Sequence, residues 1–285
     1  MLGPMAQDLA GKVFIVTGAN TGIGKITAGE LAARGAHVIL ACRSEAKTTP
    51  VVDEIKRTTL NDKVEFMALD LADQASVRAF ADAFLARGLP LHGLINNAGL
   101  VTRGTTKEGF ELIFGVNHLG HYLLTRLLLD HIKQTKGARI VNVSSRAHYR
   151  ARKIDWGALQ KTTKTVSGFH EYTVSKLANV LFTQELAKRL AGTGVTTYAV
   201  HPGGVATDVW RRIPQPFRWL MNRFLISPEQ GAVSTLRAAT DPALASETGR
   251  YYTQDGSERR ASRIATEDLA ATLWIKSAEW TGLPA

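Results

Sequence analysis

The stretch KVFIVTGANTGIGK, residues 12–25, decides the fold. A short apolar run rich in β-branched side chains ends at Thr17, and apolar residues at helical spacing resume after Gly24, so a strand, a turn and a helix are predicted in succession. Glycines at 18, 22 and 24 permit a tight turn and let the backbone approach a pyrophosphate, whose charge the helix N-terminus stabilises. The stretch therefore predicts a strand–turn–helix unit that binds a nucleotide cofactor.

Short apolar runs and longer helical stretches alternate through the first two hundred residues. Strands are predicted at 12–17, 37–41, 64–68, 93–96, 138–143 and 196–200. Helices are predicted at 24–34, 48–59, 74–85, 107–133 and 172–190, followed by a helix at 228–240 and an edge strand at 249–253. Such alternation is typical of a parallel sheet covered by helices on both faces. The predicted fold class is α/β, a doubly wound parallel sheet or Rossmann fold.

The length of the chain limits the number of domains, and its charge limits the kinds of partner it can bind. A chain of 285 residues without an internal repeat or a linker predicts one domain, residues 1–285, with a variable substrate segment at about 203–226. The formal net charge of +10 would suit nucleic acid, an anionic membrane surface or a phosphate-rich cofactor. Because the basic residues form no dense run, recognition helix or zinc-finger pattern, no nucleic-acid partner is expected.

Cysteine usage and the N-terminal residues bear on location. Cys42 is the one cysteine, which excludes an intramolecular disulfide and fits a reducing compartment, so we expect a cytoplasmic protein in which Cys42 is a buried small hydrophobe. The opening residues MLGPMAQDLAGKVFIV contain no run near the roughly 20 apolar residues that span a bilayer, so a transmembrane anchor is not expected. No metal is predicted, because no metal-ligand spacing is found among histidines 118, 121, 131, 148, 170 and 201.

Six motifs occur in the order that is typical of the short-chain dehydrogenase/reductase superfamily. They are the Gly-x-x-x-Gly-x-Gly turn, Asn96-Asn97-Ala98-Gly99, Asn117 in the long helix, Ser144-Ser145, Tyr172-x-x-x-Lys176 and His201-Pro202-Gly203. The chain resembles this superfamily over most of its length. Within it, the stretches Thr-Gly-Ala-Asn-Thr-Gly-Ile-Gly-Lys, Ala-Cys-Arg and Val-Asn-His-Leu-Gly-His resemble the retinol dehydrogenase-like branch.

The resemblance implies an NADP-dependent enzyme that moves hydride between a nicotinamide and a carbonyl or alcohol. In the family's pattern Tyr172 is the general acid/base, Lys176 lowers its pKa and binds the nicotinamide ribose, and Ser145 polarises the substrate oxygen. Ser144 is the competing serine, and Asn117 would complete a water-linked proton relay to Lys176. The chemistry agrees, because a phenol of ordinary pKa near 10 needs a neighbouring ammonium, and residues four apart share one helix face.

The choice of cofactor depends on the end of the second strand, where an acid pairs with the ribose hydroxyls of NAD. Arg43 stands there with no acid before Glu45, which favours the 2′-phosphate of NADP(H) over NAD(H). A solvated loop arginine is the alternative interpretation of Arg43.

The resemblance implies the remaining cofactor contacts. Asp70 would face the adenine amino group with Leu71 beside it, the alternative for Asp70 being a helix cap. Thr207 would hydrogen-bond the nicotinamide carboxamide, the alternative being a turn. The predicted cofactor contacts are Gly18, Asn20, Thr21, Gly22, Ile23, Gly24, Arg43, Asp70, Leu71, Asn97, Ala98, Gly99, Tyr172, Lys176, Pro202, Gly203, Val205 and Thr207.

Substrate choice is expected to lie in the variable segment, whose stretch VWRRIPQPFRWLMNRFLI, residues 209–226, alternates aromatic and basic side chains. One hypothesis is that residues 210–224 form a lid over a lipophilic aldehyde, ketone or alcohol. The other is an amphipathic patch that contacts an anionic membrane. We favour the lid. Many members of the branch carry an N-terminal membrane anchor that is not expected here, so the resemblance is not extended to a retinoid substrate.

Two further functions stay open. One is the reduction of steroids or other bulky ketones, with reduction of a carbon–carbon double bond as a more remote variant. The other is a non-catalytic NADP(H)-sensing protein, because a fold does not imply a function. A sensor would not need Asn117, Ser145, Tyr172 and Lys176 together, so an enzyme is favoured. A homodimer through the helices near 107–133 and 172–190 is expected only from the resemblance.

Overall fold

The computed structural model describes residues 7–204 and 226–285. Seven strands are present in this part of the chain: β1 (Val13–Thr17), β2 (His37–Cys42), β3 (Val64–Ala68), β4 (Gly93–Asn96), β5 (Arg139–Val143), β6 (Thr196–Val200) and β7 (Arg250–Tyr252). They form one sheet in the order β3-β2-β1-β4-β5-β6-β7, and all neighbouring strands are parallel. The strand order changes direction between β1 and β4, which is where ligands bind in open α/β sheets.

Helices cover both faces of the sheet. The described helices are α1 (Gly22–Ala33), α2 (Glu45–Thr59), α3 (Gln74–Leu85), α4 (Leu112–Phe114), α5 (Gly120–Lys133), α6 (Phe169–Arg189), α7 (Pro228–Thr240) and α8 (Glu267–Thr281). A π-helical segment, Gly115–Leu119, joins α4 to α5, and a 3₁₀ helix, Arg146–Arg150, follows β5. Within the described ranges, no helix has the length and apolar character needed to cross a membrane.

Alternate side chains of the strands enter two separate cores. Val13 and Ile15 pack with residues of α3, α5 and α6 on one face, whereas Phe14 and Val16 pack with α1, α2 and α7 on the other. Because both faces of β1 are buried, Val13–Val16 are all apolar instead of alternating with polar residues. The doubly wound Rossmann class predicted from the sequence is confirmed.

The structure differs from the sequence-based expectation at several element boundaries and by one additional helix. The helix predicted at 107–133 begins at Leu112, because Gly109 has a φ of +86° and the carboxylate of Glu111 caps the helix by accepting the amide of Phe114 at 2.7 Å. The helix predicted from Tyr172 already begins at Phe169. Helix α8 was not predicted, and it packs on the same face of the sheet as α5 and α6.

Candidate active site

A cavity of about 710 Å³ opens at the carboxyl ends of the strands. Its lining includes every predicted cofactor residue that the structure describes, from Gly18 in the turn after β1 to Gly203 after β6, together with Ser145. Val205, Thr207 and the lid residues 210–224 lie outside the described residues. The topology thus brings segments that are up to 185 positions apart, Gly18 and Gly203, to one cavity.

The glycine turn brings the N-terminus of α1 against the loop after β4. A Cβ atom at Gly24 would lie 2.5 Å from Nδ2 of Asn97 and 2.6 Å from the carbonyl oxygen of Gly18. That amide nitrogen of Asn97 donates to the carbonyl of Thr17 at 2.8 Å. Gly18 itself has a φ of +64°, which a side chain would strain. Position 24 therefore needs glycine for this approach, and the backbone of the turn stays open to the cavity.

The end of the cavity next to the carboxyl end of β2 carries positive charge. Arg43 and Lys47 both line it, both are exposed, and neither forms an ion pair with another described residue. Lys47 was missed by the sequence reasoning, although it stands four residues after Arg43. Cys42 is buried beside them, and burial raises the pKa of its thiol, in keeping with a packing role.

Asp70 lines the cavity but does not cap α3. Its Oδ1 accepts the amide of Ala72 at 3.0 Å, whereas the cap of α3 is Asp73, which accepts the amide of Ala75 at 3.0 Å. The helix-cap alternative for Asp70 is therefore wrong, and its adenine contact stays a prediction.

The other end of the cavity holds the polar side chains of β5 and α6. Lys176 is buried, and its Nζ donates to the carbonyl of Val143 at 2.9 Å. The same Nζ lies 5.6 Å from the ring centroid of Tyr172. Ser145 hydrogen-bonds the Tyr172 hydroxyl and caps the 3₁₀ helix, because its Oγ accepts the amide of Ala147 at 3.2 Å. Ser145, Tyr172 and Lys176 thus meet at one point of the wall.

Burial affects the two titratable groups of this site in opposite directions. It raises the pKa of Tyr172, and the hydrogen bond from Ser145 lowers it. Burial lowers the pKa of Lys176 to about 8, because the interior disfavours the ammonium. Burial therefore disfavours the charged forms of both groups, the phenolate of Tyr172 and the ammonium of Lys176.

Asn117 lies in the π-helical segment behind the cavity and does not line it. Its Nδ2 donates to the carbonyl of Leu100 at 3.1 Å and to the hydroxyl of Ser175 at 3.0 Å, and its Oδ1 accepts the amide of Leu100 at 2.8 Å. A Cβ atom at Gly99 would lie 3.5 Å from both Asn117 Oδ1 and Lys176 Nζ. Asn117 and Lys176 therefore flank the same glycine.

His121 connects Asn117 to the glycine turn, a role that the sequence reasoning missed. Its Nδ1 lies 3.1 Å from the carbonyl oxygen of Asn117, which can only accept, so Nδ1 carries the proton. Its Nε2 then accepts the hydroxyl of Thr17 at 2.9 Å, and that hydroxyl oxygen accepts the amides of Asn97 and Ala98, each at 2.9 Å. Burial lowers the pKa of His121 to about 4, which keeps the ring neutral.

His148 is hydrogen-bonded to the backbone of Ser145. Its Nε2 accepts the amide of Ser262 at 3.2 Å, so its Nδ1 carries the proton and donates to the carbonyl of Ser145 at 2.7 Å. The side chain is fully buried. Its signal in the sequence is weak, because a histidine three residues after a serine is common on helical turns.

Comparison with known proteins identifies the family. The family model described as short chain dehydrogenase matches residues 12–216, and the chain belongs to this family of oxidoreductases. Its curated relatives place it in the retinol dehydrogenase-like branch. Human retinol dehydrogenase 11 is 48% identical over 281 residues, which cover 97% of this chain and 88% of the relative.

Solved structures share the fold over nearly the whole chain. An uncharacterized protein from Mycobacterium paratuberculosis is 34% identical with a TM-score of 0.77, and the match covers 99% of this chain and 100% of that one. A protein from Beutenbergia cavernae, described as an NAD(P)-dependent gluconate 5-dehydrogenase and solved with NADP bound, is 27% identical with a TM-score of 0.70. That match covers 89% of this chain and 98% of the other.

Proposed function

We propose that the protein is an NADP(H)-dependent oxidoreductase. It transfers hydride between the nicotinamide and a lipophilic aldehyde or ketone, or the matching alcohol, with Tyr172 as the general acid/base. The observation that carries the proposal is the division of one cavity into two ends. The glycine turn and Arg43 line one end, and Ser145, Tyr172 and Lys176 converge at the other.

The residues of the cavity fit a dinucleotide. Gly18, Gly22 and Gly24 line the cavity at the N-terminus of α1, and the backbone amides at a helix N-terminus favour a pyrophosphate. Arg43 would hold the 2′-phosphate through charge-assisted hydrogen bonds, with Lys47 as a second cation. Asp70 and Leu71 would contact the adenine, and Pro202 and Gly203 the nicotinamide side. The NADP-bound neighbour supports this choice of cofactor.

The chemistry of the bound nicotinamide is hydride transfer, which leaves negative charge on the substrate oxygen. The hydroxyls of Ser145 and Tyr172 would donate hydrogen bonds to that oxygen, and Tyr172 would release its proton to it. The ammonium of Lys176, 5.6 Å from the Tyr172 ring centroid, would offset the cost of the buried phenolate. In the oxidative direction the same phenolate would accept the alcohol proton.

Reprotonation of Tyr172 needs a route to solvent, and Asn117 constrains it. Both N–H groups of the Asn117 amide are already used by Leu100 and Ser175. A water-linked relay from Lys176 must therefore use oxygen atoms of Asn117 as acceptors. The carbonyl that His121 holds has a second lone pair for this purpose.

The proposal of a lipophilic substrate is supported by the lining near Tyr172 and by the relatives of the chain. Leu100, Val101 and Val116 give that end of the cavity an apolar wall. The similarity to human retinol dehydrogenase 11 supports a lipophilic alcohol–aldehyde pair. We also propose that residues 210–224 form a lid over the substrate. These residues lie outside the part of the chain that the structure describes.

The test is cofactor oxidation by the purified protein. NADPH and NADH would each be offered with medium-chain, aromatic and retinoid aldehydes and with bulky ketones. Turnover that prefers NADPH supports the proposal. Binding of NADPH without turnover on any carbonyl would contradict it and favour the sensing protein.

A further inference from the structure

Arg146 is a cation on the wall of the cavity, immediately after Ser145. It is exposed and lines the cavity together with Ser145, Tyr172 and His201. Its Nε donates to Nε2 of His201 at 3.1 Å. In the described ranges its two terminal nitrogens, Nη1 and Nη2, have no hydrogen-bond or ion-pair partner.

His201 fixes the direction of this guanidinium. The imidazole is 3% exposed, and burial together with the charges of Arg146 and Lys176 lowers its pKa to about 4. The ring is therefore neutral, and its Nε2 remains an acceptor for the Nε–H of Arg146 at physiological pH. A guanidinium held through Nε presents the edge formed by Nη1 and Nη2 to whatever enters the cavity. That edge carries parallel N–H groups, which match the two oxygens of a carboxylate.

The charge around the reacting end of the cavity is positive. Lys176 and Arg146 are the charged residues that line it there, and the single acid in the described lining, Asp70, follows β3 at the opposite end. Lys176 is engaged by Val143 and lies against Tyr172, so it is not available to a substrate acid. Arg146 is the cation of this end that is left without an anion among the residues described.

Neighbouring surface residues extend the positive field. The segment 259–263 lies against the 3₁₀ helix, because the hydroxyl of Tyr149 donates to the carbonyl of Arg260 at 2.6 Å. The exposed side chains that these two elements bring together are Arg146, Arg150, Arg259, Arg260 and Arg263. Of these five side chains only Arg146 lines the cavity, and the other four add positive charge to the neighbouring surface, which raises the local concentration of negatively charged substrates.

We propose that Arg146 binds a carboxylate of the substrate, so that the preferred substrates are carbonyl compounds that also carry an acid group. The inference rests on the proposed function and names its substrate class. An apolar body would contact Leu100 and Val101, the carbonyl would face Ser145 and Tyr172, and the carboxylate would take the fork of Arg146. A neutral analogue of the same shape would leave the guanidinium without this partner.

Matched substrates test the inference. The 3- and 4-formylbenzoates and their methyl esters differ in charge while keeping the same aldehyde. For the wild-type protein we expect a higher kcat/KM with the acids than with the esters. Arg146→Leu should lower this acid-to-ester ratio by about 10- to 100-fold, the range of one charge-assisted interaction, and Arg146→Lys should restore part of it. Arg152→Leu removes an exposed arginine that does not line the cavity, so its ratio should equal that of the wild type.

Binding gives a second readout that does not depend on turnover. Benzoate, which cannot be reduced, should bind the protein–NADPH complex in calorimetry, and Arg146→Leu should weaken this binding at least 10-fold. The melting temperature and the Kd for NADPH show whether the variant is folded. An unchanged ratio and unchanged benzoate affinity in folded Arg146→Leu would overturn the inference and leave the proposed function standing. Failure of the wild type to reduce any carbonyl would contradict the proposed function, and benzoate binding would still decide the role of Arg146.

Discussion

The hydroxyl of Ser144 donates a 2.7 Å hydrogen bond to the main-chain carbonyl of Lys176. This bond joins the end of β5 to the first turns of α6 and leaves Ser144 fully engaged in the interior. Ser145, the next residue, directs its hydroxyl to Tyr172 instead. Two adjacent serines therefore have separate contacts, one with the helix that carries Lys176 and the other with the hydroxyl of Tyr172.

The two serines give a matched pair of alanine variants. Ser145→Ala should lower kcat by about 10²–10³-fold, because it removes a donor to the developing oxyanion. Ser144→Ala should lower the free energy of unfolding by about 0.5–1.5 kcal/mol, because it removes one hydrogen bond to a carbonyl that lies within the α6 ladder, and its kcat should fall much less. Steady-state kinetics and urea denaturation of both variants check this. A larger loss of kcat in Ser144→Ala would reverse the assignment.

Two glycines of α1 differ in the space around them. An added Cβ would clash at Gly24 but not at Gly29. Gly24→Ala should lower the free energy of unfolding by about 1–3 kcal/mol and weaken NADPH binding, because the new Cβ would clash with Asn97. Gly29 has no other atom within 4 Å of an added Cβ, so Gly29→Ala should stabilise the helix by about 0.5–1 kcal/mol. Denaturation and fluorescence titration with NADPH measure both. Equal effects of the two substitutions would show that the turn is not tightly packed.

Arg43 should decide the preference between the two cofactors. Arg43→Ala should raise the Kd for NADPH by about 10- to 100-fold and leave the Kd for NADH within about threefold, because only NADPH carries the 2′-phosphate. Arg57→Ala, which removes an exposed arginine from the end of α2 outside the cavity, is the control. Calorimetric titration of both cofactors gives the answer. Parallel changes for NADPH and NADH would mean that Arg43 is a solvated loop residue.

Buried histidines should make the protein sensitive to acid. Burial among Phe114, Tyr122 and Phe182 lowers the pKa of His118 to about 3. Between about pH 6.5 and pH 3 the unfolded chain binds a proton that the folded state does not, so stability falls as the pH falls through this range. The free energy of unfolding of His118→Gln should therefore fall by about 2–3 kcal/mol less than that of the wild type when the pH is lowered from 7 to 4.5.

The control for this experiment is His170→Gln, which removes an exposed histidine at the start of α6. Its pH dependence should follow that of the wild type. Denaturation midpoints in urea at several pH values measure all three proteins. Identical slopes for His118→Gln and the wild type would contradict the account of His118.

Much of the sheet was predictable because its central strands have both faces buried and contain short apolar runs, as in Phe14–Val16. The π-helical segment was not, since nothing in Gly115–Leu119 differs in composition from an α-helix. Helix α8 had a signal that could have been used, Thr266 before Glu267 and Asp268, because a cap followed by acids marks a helix start. That the chain is a single domain stays a prediction.

The site residues that belong to family motifs could be predicted from the sequence. The residues whose roles depend on tertiary contacts could not. The glycine turn, Ser145 and Tyr172 stand in recognisable patterns. His121 and Arg146 do not, because their roles depend on Thr17 and His201, partners 104 and 55 positions away. Spacing along the chain cannot reveal such pairs, and only the packed sheet ends bring them together.

The most direct test of Tyr172 as the general acid/base is its replacement by phenylalanine. The variant keeps the ring beside Lys176 and removes only the hydroxyl that would transfer the proton. We expect the kcat for NADPH-dependent aldehyde reduction to fall by about 10²–10⁴-fold while the Kd for NADPH stays within about threefold. A Tyr172→Phe protein that retains kcat within a few-fold of the wild type would contradict the assignment of Tyr172 as the general acid/base.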